Sequence, residues 1–125
     1  MRTSLRPEEL EYLTGGRQPG ERRLGRLATV QRDGLPHVVP VGWRYNPDLG
    51  TIDISGRNFA ATKKFRNVAA NPKVAFIVDD VLPPWRPRSV MIQGTAEALE
   101  GPDSGEAFIR ITPQNVISWG LGSAA

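Results

Sequence analysis

The chain contains no cysteine and a single histidine, His37. The first absence excludes disulfides, thiolate nucleophiles and cysteine-held iron–sulfur clusters. One imidazole is too few for a His-rich zinc site or a two-histidine iron triad, so no metal site is expected. Long apolar runs are also lacking, and nothing approaches the ~20 residues that span a bilayer. Residues 1–11 carry mixed charge without the apolar stretch of a secretion signal. The expectation is a cytoplasmic protein with no membrane partner. Glycine-rich phosphate loops of the Walker or dinucleotide type are missing, as is a Gly-x-Ser-x-Gly elbow. With so little acid–base equipment, any enzymatic reactivity has to come from a bound cofactor.

What is present is punctuation. The 125 residues include 13 glycines and 11 prolines, which suits short strands joined by turns better than long helices. One domain is expected over residues 1–125, with an N-terminal helix and link over 1–23 and a barrel over 24–121. The net charge of +3 favours anionic partners without choosing among them. Nucleic acid is disfavoured, because the cations are interleaved with Asp and Glu and no aromatic stacking platform is evident.

Leu5 to Leu13 reads as a short helix, with Pro7 near its start, acidic Glu8 and Glu9 in the first turn, and Gly15-Gly16 as the stop. Arg17 to Arg23 reads as a polar link. Arg26–Gln31 and Pro36–Tyr45 flank Asp33-Gly34, a hairpin signal. Asn46–Gly50 makes the next turn and Thr51–Ser55 the third strand, giving an antiparallel meander. Phe59 to Ala70 changes period: Phe65, Val68 and Ala69 fall on one helical face, Lys63, Lys64, Arg66 and Asn67 on the other. Asn58 is the expected cap and Asn71-Pro72 the end.

Val74–Val78 reads as a buried strand ending in a solvated Asp79-Asp80. Leu82 to Pro87, with three prolines, reads as irregular. Ser89–Leu99 is a long strand in which Gly94 marks a bulge or close approach. Glu100–Glu106 reads as a loop, and Phe108–Ile111 and Val116–Trp119 as two short strands around a Thr112-Pro113 turn. The sum is a mainly β (α+β) fold of six or seven antiparallel strands, one central helix and a short N-terminal helix. Closure into a barrel would remove the sheet edges.

The best place for chemistry is the junction after the third strand. Ser55-Gly56-Arg57 ends a strand, and the following helix start offers free N–H groups and a positive dipole end beside Lys63 and Lys64. From the pattern alone, a phosphate site and an ordinary basic helix face are both open. His37 reads as a structural histidine. Trp85, in a proline-stiffened loop near Arg86 and Arg88, and Trp119, beside Gly120, read first as core or interface packing.

Several segments together carry a resemblance. Gly25–Gly42 (GRLATVQRDGLPHVVPVG) resembles the first hairpin of the pyridoxamine 5′-phosphate oxidase-like superfamily. Ala61–Ala75 (ATKKFRNVAANPKVA) is similar to its actinobacterial deazaflavin branch. Pro84–Arg88, Gln93–Glu97 and Ile117–Leu121 extend the likeness in order and spacing. The resemblance implies a split β-barrel homodimer with two equivalent cofactor sites at the interface, binding coenzyme F420 or, alternatively, FMN.

It also implies residue roles. Val39, Pro40 and Val41 run along the flavin-like ring, and Ser55, Gly56 and Arg57 lie beside the cofactor tail. Thr62, Lys63 and Lys64 grip phosphate, with Asn67 supporting that turn. Trp85 and Arg88 match a loop contributed by the partner chain, with Trp119 nearby. No catalytic side chain is identified. The Arg-rich strand motifs and longer C-terminal segment of the familiar FMN-binding oxidases are absent, which favours the deazaflavin branch. The implied activity is an F420-dependent oxidoreductase passing a hydride to a small organic acceptor. Its alternatives are an FMN-binding oxidoreductase of the same fold and a non-catalytic cofactor carrier.

Overall fold

The computed structural model describes residues 2–15, 23–101 and 106–122. Most of the link read at Arg17–Arg23 and of the loop at Glu100–Glu106 lies outside them. Among the described residues, no helix is long and apolar enough to cross a membrane. The elements are α1 (Pro7–Thr14), β1 (Gly25–Val30), β2 (Pro36–Val41), β3 (Arg44–Asn46), β4 (Thr51–Ser55), a 3-10 turn (Phe59–Ala61), α2 (Lys63–Ala70), β5 (Lys73–Leu82), β6 (Arg86–Glu100) and β7 (Ala107–Trp119).

Seven strands form one antiparallel sheet in the order β2-β1-β5-β6-β7-β4-β3. Its two outermost strands are consecutive in the chain and joined only by Gly42-Trp43. A flat seven-stranded sheet would hold its edges about 29 Å apart. Three Cα steps from Val41 to Arg44 reach at most about 11 Å. The sheet must therefore roll until β2 and β3 lie side by side, and this is the split of a split barrel. The expected meander is corrected here: β1 pairs with β2 and β3 with β4, but β2 and β3 are not hydrogen-bonded neighbours.

The barrel is filled by alternate residues of each strand. Leu27, Ile52, Ile54, Val78, Val90, Ile92, Ile109 and Ile111 are wholly buried, with Phe76 nearly so. Removing this much apolar surface from water is the main stabilising contribution. Gly94 confirms its expected role: the β6–β7 register shifts between Gln93 and Gly94, and a Cβ there would lie 2.2 Å from the Thr112 carbonyl oxygen.

Two proline readings are corrected. The irregular segment shrinks to Pro83–Trp85, because Leu82 pairs with Arg86 and Val81 with Pro87. β7 pairs with β6 only as far as Ser89, so Pro87 lies beyond the ladder, against Gly120, where a missing donor is tolerated. Likewise β7 is one strand rather than two, since Pro113 sits opposite Gly94 at the bulge.

The central helix differs in detail. Asn58, with φ of 49°, caps the 3-10 turn without a side-chain hydrogen bond. The α-helix proper starts later and is capped by Thr62, whose Oγ1 accepts from the Phe65 N–H at 3.3 Å. Ala69 is exposed and Asn67 buried, reversing the expected faces at these two positions. The reason is a polar contact: Asn67 Nδ2 donates to Thr29 Oγ1 at 3.0 Å, which satisfies an amide in the barrel mouth.

The Asp79-Asp80 pair is not simply solvated. Asp79 meets Arg26 at 3.1 Å, while Asp80 accepts from Tyr12 Oη at 2.8 Å and from Arg88 Nε and Nη2 at 2.9 and 2.6 Å.

Candidate functional site

At the seam, beside the Gly42-Trp43 link from β2 to β3, lies a cleft of about 730 Å³. One side is the Gly42-Trp43 link and Arg44, and the floor is the outward face of β4, with Asp53, Ser55 and Gly56. The other side is Glu106, Ala107, Phe108 and Arg110 from β7 and its approach. Antiparallel register explains the grouping, because Asp53 is opposite both Arg44 and Arg110, and Ser55 is opposite Phe108.

The floor is electrostatically saturated. Asp53 is buried, and Arg110 donates to both its oxygens at 3.1 Å, Thr51 Oγ1 at 3.0 Å and Asn46 Nδ2 at 3.2 Å. Burial alone would raise this carboxyl, but the Arg110 fork and the Asn46 and Thr51 donors outweigh it and hold the group below its ordinary value. Arg110 also lies 5.0 Å over the Phe108 ring. These groups stiffen the cleft floor.

The sequence-predicted residues fall into three groups. The first meets at the seam: Ser55 and Gly56 line the cleft, and Arg57 is exposed beside them. Val39, Pro40 and Val41 lead into Gly42 but do not themselves line the cleft, with Val41 turned into the core and Pro40 outward. Lys64 does not line the cleft and stands near its Gly56 end through Phe59. A Cβ on Gly56 would lie 3.4 Å from the Phe59 ring, and Lys64 Nζ lies 5.1 Å over that same ring. Neither Lys64 nor Arg57 is within salt-bridge distance of a described carboxylate. Thr62 holds the turn, donating to the Phe59 carbonyl at 2.7 Å while capping α2.

The second group lies on the back of α2. Lys63 and Asn67 line a separate cleft of about 430 Å³ with Arg66 and with Gln31, Arg32 and Asp33 of the first hairpin turn. The third group is at the hairpin end of β5–β6: Trp85 is 74% exposed at the tip and Trp119 67% exposed at the end of β7. Arg88 sits two rungs below the tip with its fork on Asp80. None of these three lines the seam cleft of its own chain.

Trp43, Arg44, Asp53, Phe108 and Arg110 were not singled out by sequence reasoning. The available signal was period-2 alternation: Thr51, Asp53 and Ser55 share one face of β4, opposite the apolar Ile52 and Ile54. His37 faces Thr29 on β1, and its Nδ1 is buried without a hydrogen-bond partner. Among the described residues, no group of three His, Cys, Asp or Glu could hold a metal ion.

With this geometry in view, comparison with known proteins is decisive. The family model for pyridoxamine 5′-phosphate oxidase matches residues 17–120. The chain belongs to that family. It is 46% identical to the 5a,11a-dehydrotetracycline/5a,11a-dehydrooxytetracycline reductase of Streptomyces rimosus, the match covering 78% of this chain and 74% of that one. That kinship makes this family member an oxidoreductase. A conserved hypothetical protein of Mycobacterium tuberculosis superposes with a TM-score of 0.74 at 20% identity, covering 98% of this chain and 96% of that one. An FAD-binding protein from Mesorhizobium loti superposes with a TM-score of 0.63 at 26% identity, covering 78% and 82%.

Proposed function

We propose that this family member is an F420-dependent reductase, assembled as a homodimer, that delivers a hydride to an electron-poor carbon–carbon double bond of a small organic acceptor. The observation that carries the reading is the seam. The strand end at Ser55-Gly56 lines the cleft, and an apolar strand leads into its Gly42 side. Near its Gly56 end Lys64, at a helix start, lies over Phe59 with no described carboxylate in ion-pair distance. Those donors fit a planar ring with an anionic tail. The reductase relative supplies the class of acceptor by analogy, since its name describes reduction of a dehydrotetracycline.

Bound in reduced form, the cofactor supplies the hydride. The chain's own residues bind and orient it. Lys64, Arg57 and the N-terminal N–H groups of α2 hold the phosphate, and Thr62 fixes the turn that presents them. Ser55 and Gly56 let the tail pass close to the backbone, and Val39, Pro40 and Val41 give the ring an apolar strand to lie along. Lys63 and Asn67 act from behind, Asn67 by tying α2 to Thr29. Trp85, Arg88 and Trp119 serve the partner's site across the dimer.

A two-chain assembly is supported by the outward face of β2, β5 and β7, where Val38, Val81, Ile117 and Trp119 are exposed. Ile117 and Trp119, two apart on β7, share one face, and exposed apolar side chains there suit a surface that a partner covers. The FAD-binding relative favours a flavin as the second reading of the cofactor. A carrier without catalysis would use the same pocket.

Side-by-side titration of coenzyme F420 and FMN into the purified protein separates these. Tighter binding of F420, followed by loss of reduced F420 on addition of a conjugated enone, is the expected result. Tighter binding of FMN would replace the cofactor assignment, and binding without turnover of any acceptor would leave a carrier.

A further inference from the structure

The most heavily cross-linked polar cluster outside the seam joins α1 to the β5–β6 hairpin. The Tyr12 ring is buried with a guanidinium near it from each of two segments, Arg23 Cζ at 4.3 Å and Arg88 Cζ at 4.9 Å from its centroid. Its hydroxyl donates to Asp80 at 2.8 Å. Asp80 is gripped by the Arg88 fork and approached by Arg23 at 3.7 Å. Arg23 in turn donates to the Tyr12 carbonyl at 2.8 Å, and its own carbonyl accepts from Trp43 Nε1 at 2.9 Å.

Asp80 and Arg88 face each other on β5 and β6, and only the Val81–Pro87 and Leu82–Arg86 rungs separate them from the tip at Pro83–Trp85. β7 ends its pairing at Ser89 and Gly120 packs on the Pro87–Arg88 backbone, so beyond that level the hairpin is a two-stranded ribbon. Such a ribbon is marginal by itself and takes its direction from whatever holds its base. Burial of the Tyr12 phenol and its bond to Asp80 both push its ionisation upward, so it remains a hydrogen-bond donor throughout the working range.

We propose that the Tyr12–Arg23–Asp80–Arg88 cluster is a positioning device that sets the pose of the β5–β6 hairpin tip and thereby places Trp85. Tyr12 and Arg23 act through Arg88 and Asp80, and none of the four needs to touch a cofactor for this. The functional consequence rests on the reading above that Trp85 serves the partner's cofactor site; the structural part does not.

The test uses the full-length chain labelled with 5-fluorotryptophan, whose three resonances are assigned by single Trp→Phe variants. Tyr12→Phe keeps the ring beside the two guanidiniums and deletes the hydroxyl, with its donation to Asp80 and its longer 3.5 Å contact to the Arg88 carbonyl. Broadening or doubling of the Trp85 line, with Trp119 unchanged, is expected. An unchanged Trp85 line, or equal broadening of all three, overturns the proposal. Should Tyr12→Phe fail to fold, Asp80→Asn makes the same test from the hairpin side.

A double-mutant cycle on F420 affinity completes it. Tyr12→Phe is expected to weaken binding by roughly three- to tenfold, part of the worth of a hydrogen bond to a charged group. In a Trp85→Phe background it should have no further effect. Additive losses overturn the transmission through Trp85. If Trp85→Phe alone leaves affinity unchanged while Tyr12→Phe still disturbs the Trp85 line, the clamp stands and the cofactor role of Trp85 fails.

Discussion

The two ends of this barrel handle charge in opposite ways. At the α1 end every carboxylate of the clamps is answered: Glu9 by Arg2, and Asp80 by Arg88, Arg23 and Tyr12. Toward the other end of the same strands, α2 carries Lys63, Lys64 and Arg66 with no described carboxylate within ion-pair distance. A saturated cluster has nothing left to offer a ligand and serves shape. Unanswered cations at a helix start, beside a strand end floored by glycine, are the arrangement that gains from an incoming anion.

The strongest way to break this contrast is at the closed end. Glu9 is fully buried, and its carboxylate takes the Arg2 fork at 2.8 Å on each oxygen and the Arg6 N–H at 2.8 Å. Glu9→Ala strands these donors and should cost about 3 kcal/mol in urea unfolding, because one member of a buried pair is removed. F420 affinity should stay unchanged at native conditions.

The same group gives a pH signature. Burial would raise the Glu9 carboxyl, yet Arg2, the Arg6 N–H and Ser118 together bring it down to about 2 from an ordinary 4.5. A depressed folded-state value means that this stabilisation is fully present above about 4.5 and is lost as pH falls toward 2. Acid denaturation followed by circular dichroism should fall through that window, and Glu9→Gln should flatten the dependence.

At the open end, Gly56→Leu should reduce F420 affinity at least about tenfold by filling the cleft mouth. The melting temperature should move little, since the first added carbon meets Phe59 at an ordinary 3.4 Å. The smallest effect belongs to Asp79→Asn. Its pair with Arg26 is half exposed on both sides, and thermal unfolding should register less than about 0.5 kcal/mol.

Much of the fold was legible because turn chemistry and alternation are local. Asp33-Gly34 and Asn46–Gly50 both mark hairpins, and Gly94 marks the bulge. What misled was proline. Pro87 and Pro113 read as breaks, but each sits where the neighbouring strand has ended or shifted, a condition set by strands far away in sequence. The two faces of α2 were misassigned at Asn67 and Ala69 for a similar reason, because the partner of Asn67, Thr29, is on another strand.

For the site, strand four handing over to α2 was visible as a glycine and two lysines. That Lys63 lines the cleft behind α2 while Lys64 lies over Phe59 was not, since adjacent helical positions diverge by about 100° and only packing decides which one faces Phe59. Asp53 and Arg110 escaped notice because a pairing 57 residues apart leaves no local trace.

The central claim is that Lys64, rather than Lys63, answers the anionic tail of the cofactor at the seam. Titration of F420 into the wild type, Lys64→Ala and Lys63→Ala at two salt concentrations tests it directly. The account predicts roughly tenfold weaker binding and a shallower salt dependence for Lys64→Ala, with Lys63→Ala close to wild type. Equal affinities for all three proteins, or a loss confined to Lys63→Ala, would contradict it.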